Sequence, residues 1–436
     1  MRSMVGEERG QRFSLDSPEV NLDDHDRALL DGERGPAMQL AMRLVLKAAA
    51  IMDAEMLVPI TFAHIDACFY TGQAHVDFAR FMLDNGATLA VPTWTNNGVV
   101  SLAGPELRRE ADDPETVTGA RDLMQLYAQL GCTPTWTCAP YQLPGGPKFG
   151  DHIAVGESNA VSYYNSVLGA RSNKYGDYLD VACAAAGKAP FAGLHTDQGR
   201  RAELHFDAAA LPEAWRREDI FAHLLGYHVG RIAGRRRPVI TGLLRDTSND
   251  SLKAISSAVA AAGGVELWHG VGITPEAPSL DAIFDDGERH TITAGDLAGA
   301  HRELSTAKEG PLNAVALGTP HFSLSEFAEL VRLLEDRKVK AKLFVSTSRA
   351  VRQLAAAKGW IASLEAAGVE IPVDVCTYYS PRIRALHGRV MTNAAKWAYY
   401  APGMLGVEVA FGSLRECVES AVRGEVWRDP HLWLSQ

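Results

Sequence analysis

The chain has 436 residues, 47% of them hydrophobic, which predicts two or three packed lobes rather than one core. Its 43 basic and 53 acidic residues give a net charge of −10, which argues against a nucleic acid or an anionic membrane as the main partner. Apolar runs of about eighteen residues, as a membrane span needs, do not occur. The N-terminus lacks the apolar segment of a signal peptide, so we expect a cytoplasmic protein with a disordered tail at residues 1–21.

Short apolar runs alternate with helical patterns of apolar residues along the rest of the chain. The first group of predicted elements comprises helix 36–52, strand 56–63, helix 74–85 and strand 89–92. The second group comprises helix 220–225, strand 238–242, helix 250–261 and strand 264–268. The third comprises strand 314–317, helix 325–335, strand 341–346, a helix that ends near residue 368, and strand 370–376.

This alternation predicts an α/β fold of several doubly wound lobes with largely parallel sheets. We expect a first lobe at residues 22–210, a second at 211–310, and a third at 311–436 that closes the active site. Ligands of such sheets bind at the carboxyl ends of the strands, where the connecting loops gather. Three loops of this kind carry unusual residues, namely 63–68, 318–323 and 376–381.

Six cysteines are scattered along the chain, which suits neither a disulfide framework nor a compact ferredoxin run. Cys183 and Cys417 lie in apolar helical patterns and are predicted core residues. The remaining candidates end apolar runs or lie in loops, as metal-binding thiolates often do. They are Cys68, Cys138 and Cys376, with Cys132 as an alternative to Cys138.

The stretch from Tyr163 to Gly176 concentrates polar and cationic side chains around one glycine, which is typical of a loop that binds an anion. Its candidate residues are Asn165, Ser166, Arg171, Asn173 and Lys174. A structural role is the alternative to anion binding, since a serine such as Ser166 can equally cap a helix that begins at the next residue.

Histidines supply the candidates for proton transfer. His64 and Asp66 are two residues apart on a predicted strand, so they would share one face as an acid–base pair, although a buried histidine satisfied by an aspartate is the commoner arrangement. His195 and His321 carry the same two interpretations. The nucleophile elbow, the His-Glu-x-x-His motif and the phosphate loop are absent from the sequence, which argues against serine hydrolases and kinases.

Six segments, in the same order and spacing over about residues 22–412, resemble the aconitase X family. They are Ala63-His-Ile-Asp-Ala-Cys-Phe-Tyr-Thr-Gly72, Thr137-Cys-Ala-Pro-Tyr141, Gly156-Glu-Ser-Asn-Ala160, Asn165-Ser-Val-Leu-Gly-Ala-Arg171, Gly318-Thr-Pro-His-Phe-Ser323 and Met391-Thr-Asn-Ala-Ala-Lys396. The resemblance implies an aconitase-like fold, an iron–sulfur cluster that acts as a Lewis acid, and dehydration of a small hydroxylated carboxylate. Members divide into cis-3-hydroxy-L-proline dehydratases and archaeal mevalonate 5-phosphate dehydratases.

Two departures from the family bear on the substrate. The archaeal branch has a cysteine where this chain has Thr319, and the arrangement of Asp66 and Cys68 favours the hydroxyproline branch. The acidic continuation from Lys174 to Asp180 leaves the substrate open. The sequence lacks the smaller swivelling domain of aconitases, so we expect a separate small subunit to supply it.

The resemblance implies β-elimination of water from cis-3-hydroxy-L-proline, followed by tautomerisation to Δ1-pyrroline-2-carboxylate. Cys68, Cys138 and Cys376 are the expected ligands of the cluster, for which 2Fe–2S is favoured over 3Fe–4S and 4Fe–4S. The expected substrate-binding residues are Asn165, Arg171, Lys174 and Lys396. The expected catalytic residues are Ser166, or alternatively His64 with Asp66, as the base, and His195 or His321 as the acid.

Two other functions stay open. The first is dehydration of another hydroxy acid, such as mevalonate 5-phosphate, which would require more cationic residues around the loops. The second is a non-catalytic, metal-free binding subunit. Lys396 also has a structural alternative, because a lysine in a helical segment commonly lies on a solvated face.

Overall fold

The computed structural model describes residues 20–103, 107, 113–379 and 386–435. Most of the predicted N-terminal tail and the end of the loop 376–381 lie outside these residues. Within the described ranges, no helix combines the length and the hydrophobicity that crossing a bilayer requires.

The first region contains a small parallel sheet with helices around it. Its helices are α1 (Asp24–Leu30), α2 (Pro36–Ile51), α3 (Gln73–Asp84), α4 (Pro114–Gln129), α5 (Ser158–Tyr163) and α6 (Leu179–Ala186). Its strands are β1 (Leu57–Pro59), β2 (Phe62–Ile65), β3 (Thr93–Thr95), β4 (Ile153–Val155) and β5 (Lys188–Pro190). The parallel sheet has the order β3-β2-β4, and β1 pairs with β5 in an antiparallel arrangement. A π-helical turn, Tyr164–Leu168, continues α5, and single 3-10 turns occur at Pro140–Gln142, Gly193–His195 and Gln198–Arg200.

The second region is built on a four-stranded parallel sheet of order β8-β7-β6-β9. Its strands are β6 (Leu204–Asp207), β7 (Pro238–Thr241), β8 (His269–Gly270) and β9 (Glu288–Thr291), and its helices are α7 (Glu213–Arg216), α8 (Asp219–Ala233), α9 (Asn249–Gly263), α10 (Leu280–Ile283) and α11 (Ala294–Leu304). Helices α8 and α9 approach closely at Gly226, where an added Cβ would lie 2.8 Å from the Cβ of Ala258. A larger residue at this crossing would separate the two helices.

The third region contains a five-stranded parallel sheet of order β12-β11-β10-β13-β14. Its strands are β10 (Ala314–Phe322), β11 (Lys342–Thr347), β12 (Val369–Glu370), β13 (Arg389–Thr392) and β14 (Glu408–Phe411), and its helices are α12 (Leu324–Leu334), α13 (Arg349–Ala357), α14 (Trp360–Ala366), α15 (Ala395–Leu405) and α16 (Leu414–Arg423), followed by a 3-10 turn at Trp433–Ser435. Every residue of β10 is buried, as expected for a central strand covered on both faces.

The predicted α/β class with largely parallel sheets is confirmed. Several predicted strands are wrong in position, because apolar residues reveal burial but not the pairing partner. The strand predicted at 89–92 is β3 at Thr93–Thr95, and the one predicted at 264–268 is β8 at His269–Gly270. Of the strand predicted at 370–376, only Glu370 lies in β12, which comprises Val369–Glu370. The helix predicted to end near 368 divides at Gly359, where φ is +78°.

Gly318 allows a close approach between β10 and β11. Its φ is +85°, and an added Cβ would lie 2.1 Å from the backbone oxygen of Ser346. We expect Gly318→Ala to lower the free energy of unfolding by at least about 2 kcal/mol, because both the backbone conformation and the contact become strained. Gly403→Ala is the control, since that glycine lies in α15 with no other atom within 4 Å of the added Cβ. Urea unfolding of both variants checks the prediction, and equal midpoints would contradict it.

Candidate active site

A cavity of about 250 Å³ lies where the carboxyl ends of β2, β3 and β4 meet the start of α15. Asp66 follows β2, Asn96 and Asn97 follow β3, and Glu157 follows β4. The described lining comprises Asp66, Phe69, Asn96, Asn97, Glu157, Ser158, Lys174, Tyr378, Tyr379, Lys396, Tyr400 and Met404. The site therefore occupies the edge of a parallel sheet at which ligands of α/β proteins usually bind, and its size suits a small molecule.

Two thiols and an imidazole lie together in the protein interior. The ligand atoms of Cys138, His321 and Cys376 are all within 4.8 Å of one another, and the two sulfur atoms are 3.7 Å apart. The backbone N–H of His321 also donates to Sγ of Cys138 at 3.3 Å. In the described part of the chain, this is the group whose donors are close enough to hold a metal ion.

The surroundings of this group control its protonation. Burial lowers the pKa of His321 to about 4, so its imidazole is neutral at pH 7 and its nitrogens are available as ligands. Burial raises the pKa of the Cys376 thiol well above its usual range, and the neighbouring Cys138 adds to the effect. Without a cation Cys376 is therefore neutral, and metal binding would have to displace its proton. Asn97 connects the group to the cavity, since its Oδ1 lies 3.5 Å from Sγ of Cys376.

A buried ion pair forms one side of the cavity. Nζ of Lys396 lies 2.5 Å from Oε1 of Glu157, and both side chains are almost completely buried. Burial raises the pKa of Glu157, but the Lys396 ammonium and the hydrogen bonds outweigh this, and the net pKa is lowered. Asn159 donates to the same carboxylate at 2.8 Å and to the backbone oxygen of Cys138 at 2.5 Å. The ion pair is thus linked through one amide to the thiol group.

Asp66 is the cavity carboxyl group with the most strongly altered acidity. Its Oδ1 accepts a hydrogen bond from Asn96 at 2.5 Å, which favours the ionised form. Burial acts in the opposite direction and, with the nearby charges of Asp177 and Glu157, raises the pKa of Asp66 to about 7. A carboxyl group with such a pKa can exchange a proton with a substrate near neutral pH.

Models of the three aconitase X domains match the chain in order. The first domain matches residues 19–198, the second 202–302 and the third 312–423. The chain belongs to the aconitase X family.

Individual relatives agree with this assignment. The chain is 41% identical over 423 residues to cis-3-hydroxy-L-proline dehydratase of Pseudomonas aeruginosa, covering 95% of this chain and 72% of the relative. It is 34% identical over 383 residues to the phosphomevalonate dehydratase large subunit of Thermococcus kodakarensis, covering 87% of this chain and 94% of the relative. The crystal structure of Thermococcus kodakaraensis aconitase X in its holo-form has a TM-score of 0.83 and 32% identity, covering 92% and 100% of the two chains. The family and fold expected from the sequence are confirmed, and these named relatives are dehydratases.

In this aconitase X chain, six of the residues expected from the sequence meet at the site or in the thiol group beside it. Asp66, Lys174 and Lys396 line the cavity, and Cys138 and Cys376 form the thiol group together with His321. Cys68 is not a member of that group, since its Sγ faces the backbone oxygens of Ile65 and Asn96 at 3.6 and 3.3 Å. Cys132 is buried in the same hydrophobic cluster as Cys68.

Of the candidates in the polar stretch predicted to bind an anion, Lys174 lines the cavity and the others lie outside its described lining. Ser166 belongs to the π-helical turn rather than capping a helix, and its Oγ accepts a hydrogen bond from the backbone of Trp268 at 2.9 Å. Asn165 donates to the backbone oxygens of Ser172 and Glu266 at 2.7 and 2.9 Å. Their hydrogen bonds hold the local backbone together, and neither residue belongs to the described cavity lining.

Arg171 and His195 lie in a second polar cluster. Arg171 donates to the backbone oxygen of His195 at 3.1 Å and pairs with Asp197 at 2.5 Å. Nδ1 of His195 lies 2.9 Å from Nδ1 of His152, and Nε2 of His195 lies 2.7 Å from the phenol oxygen of Tyr175. Burial lowers the pKa of His195 to about 3, so the imidazole is neutral at pH 7.

His64 and Asp66 do not bond to each other. Nε2 of His64 lies 3.0 Å from the backbone oxygen of Thr137, whereas Asp66 bonds to Asn96. Asp66 lies just beyond the end of β2, where the alternation of a strand no longer fixes the direction of the side chain.

Sequence reasoning did not assign roles to much of the lining. Glu157 and Ser158 lie in a segment that carries the family resemblance, and Tyr378 and Tyr379 lie in one of the loops expected to meet at the site. Glu157 could have been predicted only if Lys396 had been recognised as buried, because a fully buried lysine requires a carboxylate partner. Asn96 and Asn97 follow a strand that was predicted a few residues too early.

The Glu157–Lys396 pair permits a test of the assigned site. Glu157→Gln and Lys396→Met should each lower the free energy of unfolding by about 3–5 kcal/mol, because each leaves one buried charge without its partner. The double variant should lose less than the sum of the two. Glu329→Gln, which removes an exposed pair with Arg332, is the control and should change stability by less than about 1 kcal/mol. Urea unfolding measures all four, and simple additivity would show that the two charges do not interact.

Proposed function

We propose that this chain is a hydro-lyase that removes water from cis-3-hydroxy-L-proline and yields Δ1-pyrroline-2-carboxylate. The charge balance of the cavity carries the proposal. Its lining holds two cations, Lys174 and Lys396, and two carboxyl groups, Asp66 and Glu157. Such a nearly neutral site complements an amino acid, which has one carboxylate and one ammonium group. The name of the Pseudomonas aeruginosa relative supports the same substrate.

The same balance disfavours mevalonate 5-phosphate. A phosphate monoester carries about −1.5 to −2 charges at pH 7 in addition to the substrate carboxylate. Lys396 is already paired with Glu157, which leaves Lys174 as the cation without a carboxylate partner among the described lining residues. A phosphorylated acid would meet too few cations at this site.

The proposed cofactor is an iron–sulfur cluster, and the donor set fits it. Two buried thiols are soft ligands suited to iron, and a histidine can replace cysteine as a ligand of a 2Fe–2S cluster. Cys138, Cys376 and His321 would hold it, and three protein donors leave a position for substrate. We propose the 2Fe–2S type because the donor set, within 4.8 Å, is compact. When bound, the iron supplies Lewis-acid activation of the substrate oxygens.

The residues of the chain divide the remaining work. Lys174, which has no carboxylate partner in the described lining, attracts the substrate carboxylate, and Asn97 and Ser158 offer it hydrogen bonds. We propose Asp66 as the base that takes the C2 proton, because it is the carboxyl group of the lining that is not held by a lysine. The electron pair of the C2–H bond forms the C2–C3 double bond as hydroxide leaves C3. The resulting enamine tautomerises to the cyclic imine.

We propose a separate small subunit that carries the swivelling domain. The phosphomevalonate dehydratase relatives that match most of this chain are named large subunits, which supports a division of the enzyme into two chains. Lys174 and Met404, at the lining of the cavity, are exposed, so a second chain can reach them. No disulfide joins the six cysteines, which agrees with the proposed cytoplasmic location.

Substrate turnover tests the proposed function. Cluster-loaded protein, with its co-expressed small subunit, should convert cis-3-hydroxy-L-proline to an imine that aminobenzaldehyde traps, and should leave mevalonate 5-phosphate unchanged. Asp66→Asn should lower kcat by about 100-fold or more, because the amide cannot accept the proton. Since the base must be ionised, kcat/KM of the unaltered enzyme should rise with pH through about 7, the pKa of Asp66. Absence of imine at full iron occupancy would overturn the proposal.

Metal loading tests the donor set. After anaerobic purification, Cys138→Ser and Cys376→Ser should each lose most of the bound iron and the visible absorption, because each removes one of two thiolates. Cys183→Ser, which alters a buried core thiol of α6, should retain both. Cys68→Ser distinguishes the proposed ligands from the set expected from the sequence. Retained iron supports Cys138, Cys376 and His321 as the ligands, whereas lost iron supports Cys68 as a ligand. A colourless, iron-free native protein would instead favour a metal-free binding subunit.

A further inference from the structure

Four aromatic rings form a continuous wall of the cavity, which we call the aromatic wall: Phe69, Tyr379, Tyr378 and Tyr400. Phe69 and Tyr379 meet edge to face with ring centroids 4.4 Å apart, and Tyr379 and Tyr378 do so at 4.6 Å. Tyr378 and Tyr400 stack at 5.6 Å with an angle of 18°. Because each ring packs on the next, the wall presents a rigid surface to the cavity.

This wall already attracts one positive charge. Nζ of Lys396 lies 6.0 Å from the centroid of Tyr378, within the range of a cation–π contact. Burial raises the pKa of Tyr400, so its phenol is neutral and does not bind a cation as a phenolate. What these rings offer a cation is the negative face of the aromatic system.

Neither carboxylate of the described lining is a dedicated partner for an ammonium group. Glu157 is bonded to Lys396, and Asp66 is the group to which the proposed function assigns the C2 proton. A substrate ammonium placed against Glu157 would compete with Lys396, and one placed against Asp66 would compete with transfer of the C2 proton. The partly exposed face of Tyr400 carries no such conflict.

We propose that the aromatic wall binds the ring ammonium of the substrate and thereby selects cyclic imino acids over hydroxy acids that lack this charge. The inference rests on the proposed function and extends it, since it assigns the discrimination to Tyr400 and its neighbours. Desolvation in a small cavity strengthens a cation–π contact, whereas a neutral ring oxygen gains nothing from the same face. A phosphorylated chain would bring negative charge to the negative face of the rings and would be rejected.

Two unreactive analogues separate the ammonium from the rest of the substrate. L-proline and (S)-tetrahydrofuran-2-carboxylate share a five-membered ring and a carboxylate, but an ether oxygen replaces the ammonium in the second. Calorimetry on the cluster-loaded enzyme with its small subunit should show that L-proline binds about tenfold more tightly. Tyr400→Leu should reduce this preference to about twofold or less, whereas Tyr400→Phe should keep it, because phenylalanine retains the aromatic face.

Tyr399→Leu is the matched control for these variants. Tyr399 precedes Tyr400 in α15, is exposed, and lies outside the described lining of the cavity. Its ring packs edge to face on Tyr400 with centroids 5.1 Å apart, so this variant controls for lost packing on Tyr400. The control should therefore keep the preference for L-proline. A preference that survives Tyr400→Leu, or that Tyr399→Leu abolishes equally, would overturn the role of the wall.

The outcomes also distinguish this inference from the function on which it rests. If the enzyme forms the imine but binds the two analogues equally, the wall does not recognise the ammonium, and the proposed reaction stands. If neither analogue binds and no imine forms, the cavity is not an imino-acid site, and both proposals are overturned.

Discussion

The buried ion pair between Glu157 and Lys396 is the interaction on which the site depends. Glu157 follows β4 in the three-stranded sheet, and Lys396 lies in the first turn of α15, which follows β13 in the five-stranded sheet. Neither charge can remain buried without the other, so the pair requires the two sheets to meet with their loops in contact. Asn159 extends this constraint from the carboxylate to the backbone of Cys138. The geometry of the thiol group and that of the cavity are therefore set together.

Where the two sheets meet, the thiol group and the charged residues of the cavity lie close enough to act on one small molecule. Cys138 and Cys376 come from the first and third regions, and Asn97 lies between the thiol group and the cavity. The cavity itself balances its cations and carboxyl groups and adds a wall of aromatic rings. Such an arrangement favours a compact zwitterion over a multiply charged anion, for reasons of charge and not of size alone.

Local patterns predicted the features that depend on neighbours in the sequence. The helix that contains Cys183 and the alternation of strands and helices follow from residue periodicity, and both are present in the structure. The same reasoning failed where a long-range partner decides the outcome. Ser166 was expected to cap a helix or act on substrate, but the backbone of Trp268, about a hundred residues away, holds its hydroxyl. A concentration of polar residues in the sequence therefore does not distinguish a structural hydrogen-bond network from an active site.

The sequence by itself determined the fold class and the family resemblance, and it predicted several members of the candidate site, among them Cys138, Cys376, His321 and Lys396. Tertiary structure alone decided which of them meet. It gave Lys396 a buried carboxylate partner instead of a solvated face and left Cys68 facing backbone oxygens. The physical reason is that burial and charge pairing are properties of the packed interior, where elements distant in sequence desolvate each other. No pattern of neighbouring residues contains that information.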